Sequence, residues 1–231
     1  MSFGNNLQFL RKMHNRITQE ELAEKLGVSR QTISKWEQDL AYPEIEKMID
    51  LCQIFSCTMD QLVREEMNNH NEAFSDIFIR EVEPTTYIQY AVISCEPEDD
   101  AISHMKQWAE VNQCKEPDLV GWDFPYVSQE QINVYHMHGY TAAIFLPKEH
   151  SYQTQGFAVM KQRRQNYIVL SIREPFRAPF VLIPNAYKTL MYYMKVNGMK
   201  HVEDKEVISC FEREYTKDEV QYMDIYIAVE M

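Results

Sequence analysis

The stretch TQEELAEKLGVSRQTISKWE, residues 18–37, decides the fold of the N-terminal part of the chain. Its apolar residues recur every three or four positions, as they do on amphipathic helices. Thr18 and Glu21 have the spacing of a capping box, in which each side chain accepts a hydrogen bond from the other residue's backbone amide. Gly27 is a typical helix stop, and Ser29 is a good cap for a following helix. The stretch therefore predicts two short helices joined by a tight turn.

Helical periodicity continues on both sides of this stretch. It predicts five helices, with Pro43 in the loop before the fourth, over residues 7–14, 18–26, 29–38, 45–55 and 59–62. The run REEMNNHNEAFS that follows, residues 64–75, is polar and has few residues able to build a core. We therefore predict an all-α domain over residues 1–66 and a linker over residues 67–77.

Beyond the linker the chain changes to β-branched and aromatic runs. These predict strands over residues 86–94, 133–146, 167–172, 207–215 and 222–229. Helical spacing predicts helices over residues 99–111 and 179–196. We interpret this order as strand, helix, strand, strand given twice, with five of the six strands of two full copies in these runs, and as a repeat of pattern and not of residues. We predict a multidomain chain, all-α followed by an α+β domain over residues 78–231.

Composition limits the possible functions. With 231 residues and 45% hydrophobic residues, the chain can build two modest cores. A net charge of −12 means that any contact with nucleic acid must be local, because phosphates are neutralised by clustered Lys and Arg. No apolar run is long enough for a membrane span or a signal peptide, so we expect a cytoplasmic protein without a membrane partner. The five cysteines form no CxxC pair, and we expect reduced thiols, no metal and no cofactor.

The first helical region resembles the Cro and lambda-repressor (Xre-type) helix-turn-helix family. The resemblance rests on six residues that shape the motif, its core and the loop after it. They are Ala23 where the helices cross, Gly27 in the turn, Val28 and Ile33 in the core, Trp36 near the end of the second helix, and Pro43 downstream. It implies a five-helix lambda-repressor-like DNA-binding domain. A plain helical bundle that docks a partner is the alternative reading of the same helices.

In that family the second helix of the motif enters the major groove. Arg30 and Gln31 are the best candidates for hydrogen bonds to base edges, because Arg pairs with guanine and Gln with adenine. By resemblance, Gln19 contacts phosphate at a helix N-terminus. The complete set predicted to contact DNA is Gln19, Arg30, Gln31, Thr32, Ser34 and Lys35. Each of these could instead be a solvated polar position. One motif covers about half an operator, so we expect a homodimer on two half-sites.

The second domain resembles the GyrI-like (AraC-type) effector-binding domain. The doubled strand-helix-strand-strand order carries this resemblance, together with WDFP at residues 122–125 and CFEREYTKDEVQYMDIYIAVE at residues 210–230. It implies an antiparallel, duplicated β-α-β-β domain that binds a small-molecule effector. The family places a glutamate in the floor of its ligand cavity, and Glu212 matches that position.

Strand alternation supports a pocket independently, since Glu212 shares a face with Ile208 and Cys210. A carboxylate on such a face needs a cation or hydrogen bonds. Aromatic walls beside it would favour an aromatic ligand or a lipophilic cation. The predicted ligand-binding set is Glu212, Trp122, Phe124, Tyr126, Tyr222 and Tyr226.

Other interpretations of these residues stay open at this point. The aromatics can be ordinary core, and Glu212 can form a surface salt bridge with Arg213 or Lys217. We expect a ligand-responsive transcription regulator that is not an enzyme. One alternative is a GyrI-like hydrolase of electrophilic small molecules that uses Glu212 and Trp122. Another is a protein-interaction module tethered to DNA.

Overall fold

A computed structural model describes residues 3–65, 73–147, 152–154 and 156–230. The chain divides into two compact units. The first, called here the N-terminal unit, contains the residues up to Glu72 together with Phe180–Lys200, and the second, the sheet unit, contains Ala73–Pro179 and His201–Glu230. The predicted linker falls largely on residues outside the described ranges. Every helix among the described residues is too short or too polar to cross a lipid bilayer.

The N-terminal unit contains the five predicted helices. They are α1 (Phe3–Met13), α2 (Gln19–Leu26), α3 (Arg30–Glu37), α4 (Ile45–Ile54) and α5 (Met59–Val63). Their apolar faces meet in one core, whose fully buried members include Leu7, Leu10, Leu22, Ile33, Leu51, Phe55 and Leu62. The helical half of the predicted fold class is therefore confirmed.

The first helix begins four residues earlier than the periodicity predicts. Asp39 accepts a hydrogen bond from the Gly4 amide at 2.8 Å, which satisfies a free N–H group in the first turn of α1. A Cβ at Gly4 would lie 2.6 Å from the Glu37 carbonyl oxygen, so only glycine fits there. The extra turn depends on this contact with the end of α3, a tertiary contact that helical periodicity does not register.

The turn between α2 and α3 has the predicted geometry. The Thr18 hydroxyl accepts from the Glu21 amide at 3.1 Å, and the Glu21 carboxylate accepts from the Thr18 amide at 2.6 Å. Gly27 has a φ of 67°, in the left-handed region that favours glycine. Ser29 caps α3 by accepting from the Thr32 amide at 3.1 Å.

The predicted repeat follows, with its strands in the sheet unit and residues 180–196 of its second helix in the N-terminal unit. The first copy is β2 (Thr85–Ser94), α6 (Pro97–Val111), β3 (Asp118–Asp123) and β4 (His138–Leu146). The second copy is β6 (Gln165–Arg173), α8 (Pro179–Val196), β8 (Cys210–Lys217) and β9 (Val220–Glu230). Additional elements are β1 (Phe78–Val82), α7 (Gln129–Asn133), β5 (Val159–Gln162), a 3₁₀ turn at Pro175–Arg177 and β7 (Lys200–His201).

The strands form one sheet in the order β1-β6-β9-β8-β3-β4-β2-β5, and β7 pairs with β9. The pairs along this order are antiparallel, and the two copies meet where β3 pairs with β8, with Gly121 opposite Glu212. Each copy contributes its strands in the same order, β3-β4-β2 and β8-β9-β6. The predicted antiparallel, duplicated β-α-β-β fold is therefore confirmed.

Two of the differences from the prediction bear on the candidate site. The strand predicted over residues 133–146 begins only at His138, because Ser128 caps the short helix α7 by accepting from the Gln131 amide at 3.1 Å. The strand carrying Trp122 ends at Asp123, so the alternation expected to place Phe124 and Tyr126 beside Trp122 does not continue.

The sheet has two different faces. One face carries a cluster of buried aromatics that includes Tyr87, Phe145, Tyr167, Phe211 and Tyr226. On the other face α6 packs over β2 and β4, with Met105 and Trp108 buried against strand side chains. The alternation of β8 therefore places Phe211 in the aromatic cluster and Glu212 on the α6 face.

Candidate DNA interface and ligand cleft

The recognition helix α3 presents three of the predicted side chains to solvent. Arg30, Gln31 and Lys35 are exposed, whereas Ile33 is fully buried in the core. The two remaining predicted residues of this helix are half-buried. Thr32 Oγ1 lies 2.9 Å from Ser29 Oγ, and Ser34 Oγ accepts from Gln38 Nε2 at 3.2 Å. The exposed surface of α3 is therefore made mainly by two cations and a glutamine.

The predicted phosphate contact, Gln19, is held by a buried ion pair. Arg11 Nε lies 2.6 Å from Glu37 Oε1, and Arg11 Nη2 donates to Oε2 at 3.1 Å. Gln19 Nε2 donates to the same Oε2 at 2.8 Å, and Arg11 Nη1 donates to the Ile17 carbonyl at 2.8 Å. This network fixes the start of α2 against the end of α3. It also neutralises the acidic side chain at the end of the recognition helix.

All six residues predicted to contact DNA thus belong to the two helices of the motif, Gln19 at the start of α2 and the other five on α3. Arg11 and Glu37 were not predicted as part of this arrangement. The available signal was a glutamate at a core-facing position of α3, which requires a partner when it is buried.

A cleft of about 350 Å³ opens on the α6 face of the sheet unit. It has an acidic floor from β8, and residues of α6, β4 and the β8–β9 hairpin also line it: Ile102, Lys106, Tyr140, Glu212, Glu214 and Tyr222. Gly121, opposite Glu212, is required here because a Cβ would clash with the Tyr140 hydroxyl group. The tyrosine ring can therefore lie across β3 beside the two glutamates.

The cleft is rich in negative charge. Burial raises the pKa of Glu214, and the nearby Lys106 ammonium opposes that rise. Burial also raises the pKa of Glu98, with a further contribution from the charge of Glu214. The pKa of Tyr140 is raised by burial and then by the charge of Glu212, so its hydroxyl stays neutral. Such a site favours a positively charged group.

The structure brings two of the six predicted ligand residues to this cleft. Glu212 lies in the floor. Tyr222 borders the hairpin end of the cleft, but its ring shares the strand face of Tyr226 and stacks on Tyr215 at 5.4 Å. The other cleft residues, above all Tyr140 and Lys106, come from elements that the sequence does not show to be neighbours. Glu214 was detectable, since it shares the strand face of Glu212.

The other four predicted ligand residues lie elsewhere. Trp122 is on the aromatic face of the sheet, 6.5 Å from Tyr87, and Tyr226 is fully buried there, stacked on Phe211 at 4.3 Å. Phe124 and Tyr126 lie beyond the end of β3 with their rings 5.4 Å apart, and Tyr126 is 80% exposed.

The hydrolase alternative requires Glu212 and Trp122 at one site. Glu212 is opposite Gly121, and Trp122 is the next residue of the same strand, so its side chain points to the other face. The two side chains named for that chemistry are not brought together. The five cysteines are free thiols, and no cluster of His, Cys, Asp or Glu suited to a metal occurs in the described part of the chain.

Comparison with known proteins identifies the N-terminal helices. A helix-turn-helix family model matches residues 7–62. An uncharacterised HTH-type transcriptional regulator of Methanocaldococcus jannaschii, MJ0272, is 38% identical over 58 residues, which cover 25% of this chain and 86% of that protein. The chain belongs to the family of helix-turn-helix transcriptional regulators.

Two further known proteins are similar to parts of this helix-turn-helix regulator. The HTH-type transcriptional activator BcrR of Enterococcus faecalis is 47% identical over 66 residues, which is 29% of this chain and 32% of BcrR. The regulator thus spans about a third of the length of that relative. The solved structure of SAV2435 bound to tetraphenylphosphonium is similar over 68% of this chain and 94% of that one, with 13% identity and a TM-score of 0.43.

Proposed function

We propose that the protein is a cytoplasmic, one-component transcription regulator. In this proposal α3 reads an operator sequence, and the cleft of the sheet unit binds an aromatic or lipophilic cation that changes operator affinity. The proposal rests on one combination of features. The second helix of a helix-turn-helix motif exposes side chains suited to DNA bases, and the other unit of the same chain contains an acidic cleft.

DNA reading is assigned to the exposed positions at the start of α3. Arg30 and Gln31 occupy the first turn, the part of a recognition helix that contacts base edges. Each bidentate pair contributes about 1–3 kcal/mol of discrimination against a wrong base. Lys35, one turn further along, and Gln19, at the start of α2, are assigned to the phosphates.

Operator selection from random duplex DNA tests this assignment. Arg30→Ala should relax specificity at one base position, whereas Arg64→Ala, with the same loss of charge on the exposed end of α5, should leave the selected sequence unchanged. Equal effects of the two substitutions would mean that Arg30 contributes only charge. Failure of wild-type protein to select any sequence would overturn specific DNA reading.

Ligand binding is assigned to the acidic cleft because its charge and its walls suit one class of molecule. Two carboxylates in a partly desolvated floor are stabilised by a bound cation. The Tyr140 ring beside them offers a surface for cation–π attraction, and Ile102 adds an apolar wall. A volume of about 350 Å³ is at the lower end of the range for small-molecule sites.

Calorimetry on the full chain with tetraphenylphosphonium as the probe tests the cleft. We expect Glu212→Gln to weaken binding at least about tenfold, since a tenfold change corresponds to about 1.4 kcal/mol. The matched control, Glu203→Gln, removes the same charge from an exposed loop position and should leave binding unchanged. Equal binding of a neutral aromatic of similar size would contradict recognition of charge.

The regulatory part of the proposal is tested by measuring operator affinity with and without the saturating probe. Coupling between two sites in one protein is typically about 5–150-fold. An operator affinity that does not change when the cleft is saturated would overturn ligand control.

A further inference from the structure

The two copies of the β-α-β-β repeat use their helices differently. In the first copy, α6 packs on the sheet, with Met105 and Trp108 buried against strand residues. In the second copy, residues 180–200, which contain nearly all of α8, belong to the N-terminal unit. A helix that the repeat pattern assigns to the effector domain is thus part of the DNA-binding unit.

The C-terminal end of α8 is attached to this unit by both apolar and polar contacts. Val196 is 5% exposed and belongs to the core formed by α1–α5. His14 Nδ1 donates to the Val196 carbonyl at 3.1 Å, and Asn197 Nδ2 donates to the Met13 carbonyl at 2.9 Å. One turn earlier, the Tyr192 hydroxyl donates to Glu65 Oε2 at 3.3 Å. The contacts reach the ends of both α1 and α5.

The N-terminal end of α8 continues directly from the ligand cleft. Phe176, in the 3₁₀ turn Pro175–Arg177, lines the cleft and is 44% exposed. Only Ala178 separates that turn from the first residue of α8. A single segment of chain therefore runs from a residue that lines the cleft to Val196, in the core of the N-terminal unit.

We infer that α8 transmits the state of the cleft to the DNA-binding unit, an inference that rests on the proposed ligand function. A ligand that displaces Phe176 moves the start of α8. Because α8 is one continuous helix from Pro179 to Val196, with Pro184 in its second turn, this movement is carried along it to Tyr192, Val196 and Asn197. The helix α8 then has two placements, one before and one after Phe176 is displaced. The ligand controls DNA binding to the extent that its affinity for the cleft differs between these two placements.

The test uses the full chain, tetraphenylphosphonium and the selected operator. The double variant Tyr192→Phe/Asn197→Ala removes two polar links of α8 and keeps the buried Val196. In the wild type, the saturating probe should change operator affinity about 5–150-fold. In the double variant, the coupling free energy, which is proportional to the logarithm of that change, should fall to less than about half. The affinity of the probe for the cleft should stay the same. Met191→Ala, at an exposed position of the same helix, is the matched control and should keep wild-type coupling. Full coupling in the double variant would overturn the role of α8.

Hydrogen exchange provides a second measurement that does not depend on the variants folding normally. In the wild type, the probe should change amide exchange in residues 180–200 and at the end of α1. A probe that changes operator affinity but leaves exchange in α8 unaltered would also overturn the inference. If the probe does not bind the wild type, or binds Glu212→Gln equally well, then the ligand function itself fails, and the inference fails with it.

Discussion

The buried pair of Arg11 and Glu37 leads to a stability prediction at the scale of single residues. Their side chains are 12% and 2% exposed, so removing one partner leaves a charge that water cannot reach. Arg11→Met should destabilise the chain by about 3–5 kcal/mol in urea unfolding followed by circular dichroism. The double variant Arg11→Met/Glu37→Leu should recover most of this loss, because no unpaired charge remains. A loss for Arg11→Met no larger than that for the exposed Arg64→Ala would contradict the prediction.

Glu214 gives the cleft a predictable pH dependence. Burial raises its pKa above the ordinary value of 4.5, so part of the population is protonated at pH values just above 4.5. A bound cation favours the charged carboxylate, and binding should therefore release protons. Cation affinity should therefore rise as pH increases through the raised pKa.

Calorimetry of cation binding at several pH values checks this dependence. Glu214→Gln should flatten the pH profile in part, because the pKa of the neighbouring Glu98 is also raised by burial. Asp76→Asn, at an exposed position ahead of β1, provides a control for the loss of one carboxylate. A profile that falls with increasing pH would show that the cation does not interact with these carboxylates.

The sequence reveals site residues only where their signal is local. Arg30, Gln31 and Gln19 follow from the motif, and Glu212 follows from strand alternation. Tyr140 and Lys106 reach the cleft from β4 and α6 because of the pairing of β3 with β4 and the packing of α6. Tyr226 is an aromatic residue of the kind that lines pockets, but its ring stacks on Phe211 in the core. The residue type alone does not distinguish these two locations.

At the scale of the elements, the turn between α2 and α3 yields a prediction about backbone strain. Gly27 has a φ of 67°, and a Cβ there would have no atom within 4 Å, so a substitution is opposed by backbone conformation and not by a clash. Gly27→Val should destabilise the N-terminal unit by about 1–2 kcal/mol, and Gly27→Asn should cost clearly less, because Asn tolerates the left-handed region. Thermal unfolding of both variants measures this. Equal losses would mean that the conformation of Gly27 is not the controlling factor.

The accuracy of the element predictions follows from where their signals come from. Helices with capping residues and glycine stops, such as α2 and α3, were predicted within about one residue. The strands β1, β3 and β5, of five, six and four residues, were not among the predicted strands, because so short a run carries little alternation. The repeat pattern predicted α8 correctly as a helix. The pattern did not indicate that α8 belongs to the N-terminal unit. Helical periodicity shows that a helix has an apolar face, but it does not show which element that face packs against.

At the scale of the whole molecule, the net charge of −12 and the small reading surface of one motif both favour a dimer on DNA. One recognition helix reads about half an operator, and an acidic chain gains little from nonspecific attraction to phosphates. We therefore predict that two copies bind two half-sites on the same side of the duplex, about 10 base pairs apart or at a multiple of that spacing.

Sedimentation of the protein with its selected operator should show two chains per duplex. Inserting about 5 base pairs between the half-sites places them on opposite sides of the duplex and should lower affinity at least about tenfold, whereas inserting about 10 should restore most of it. The Arg30→Ala variant supplies a control, because it weakens each half-site and should leave the periodic response to spacing in place. A single chain on the duplex, or an affinity indifferent to spacing, would show that one helix-turn-helix motif suffices for binding.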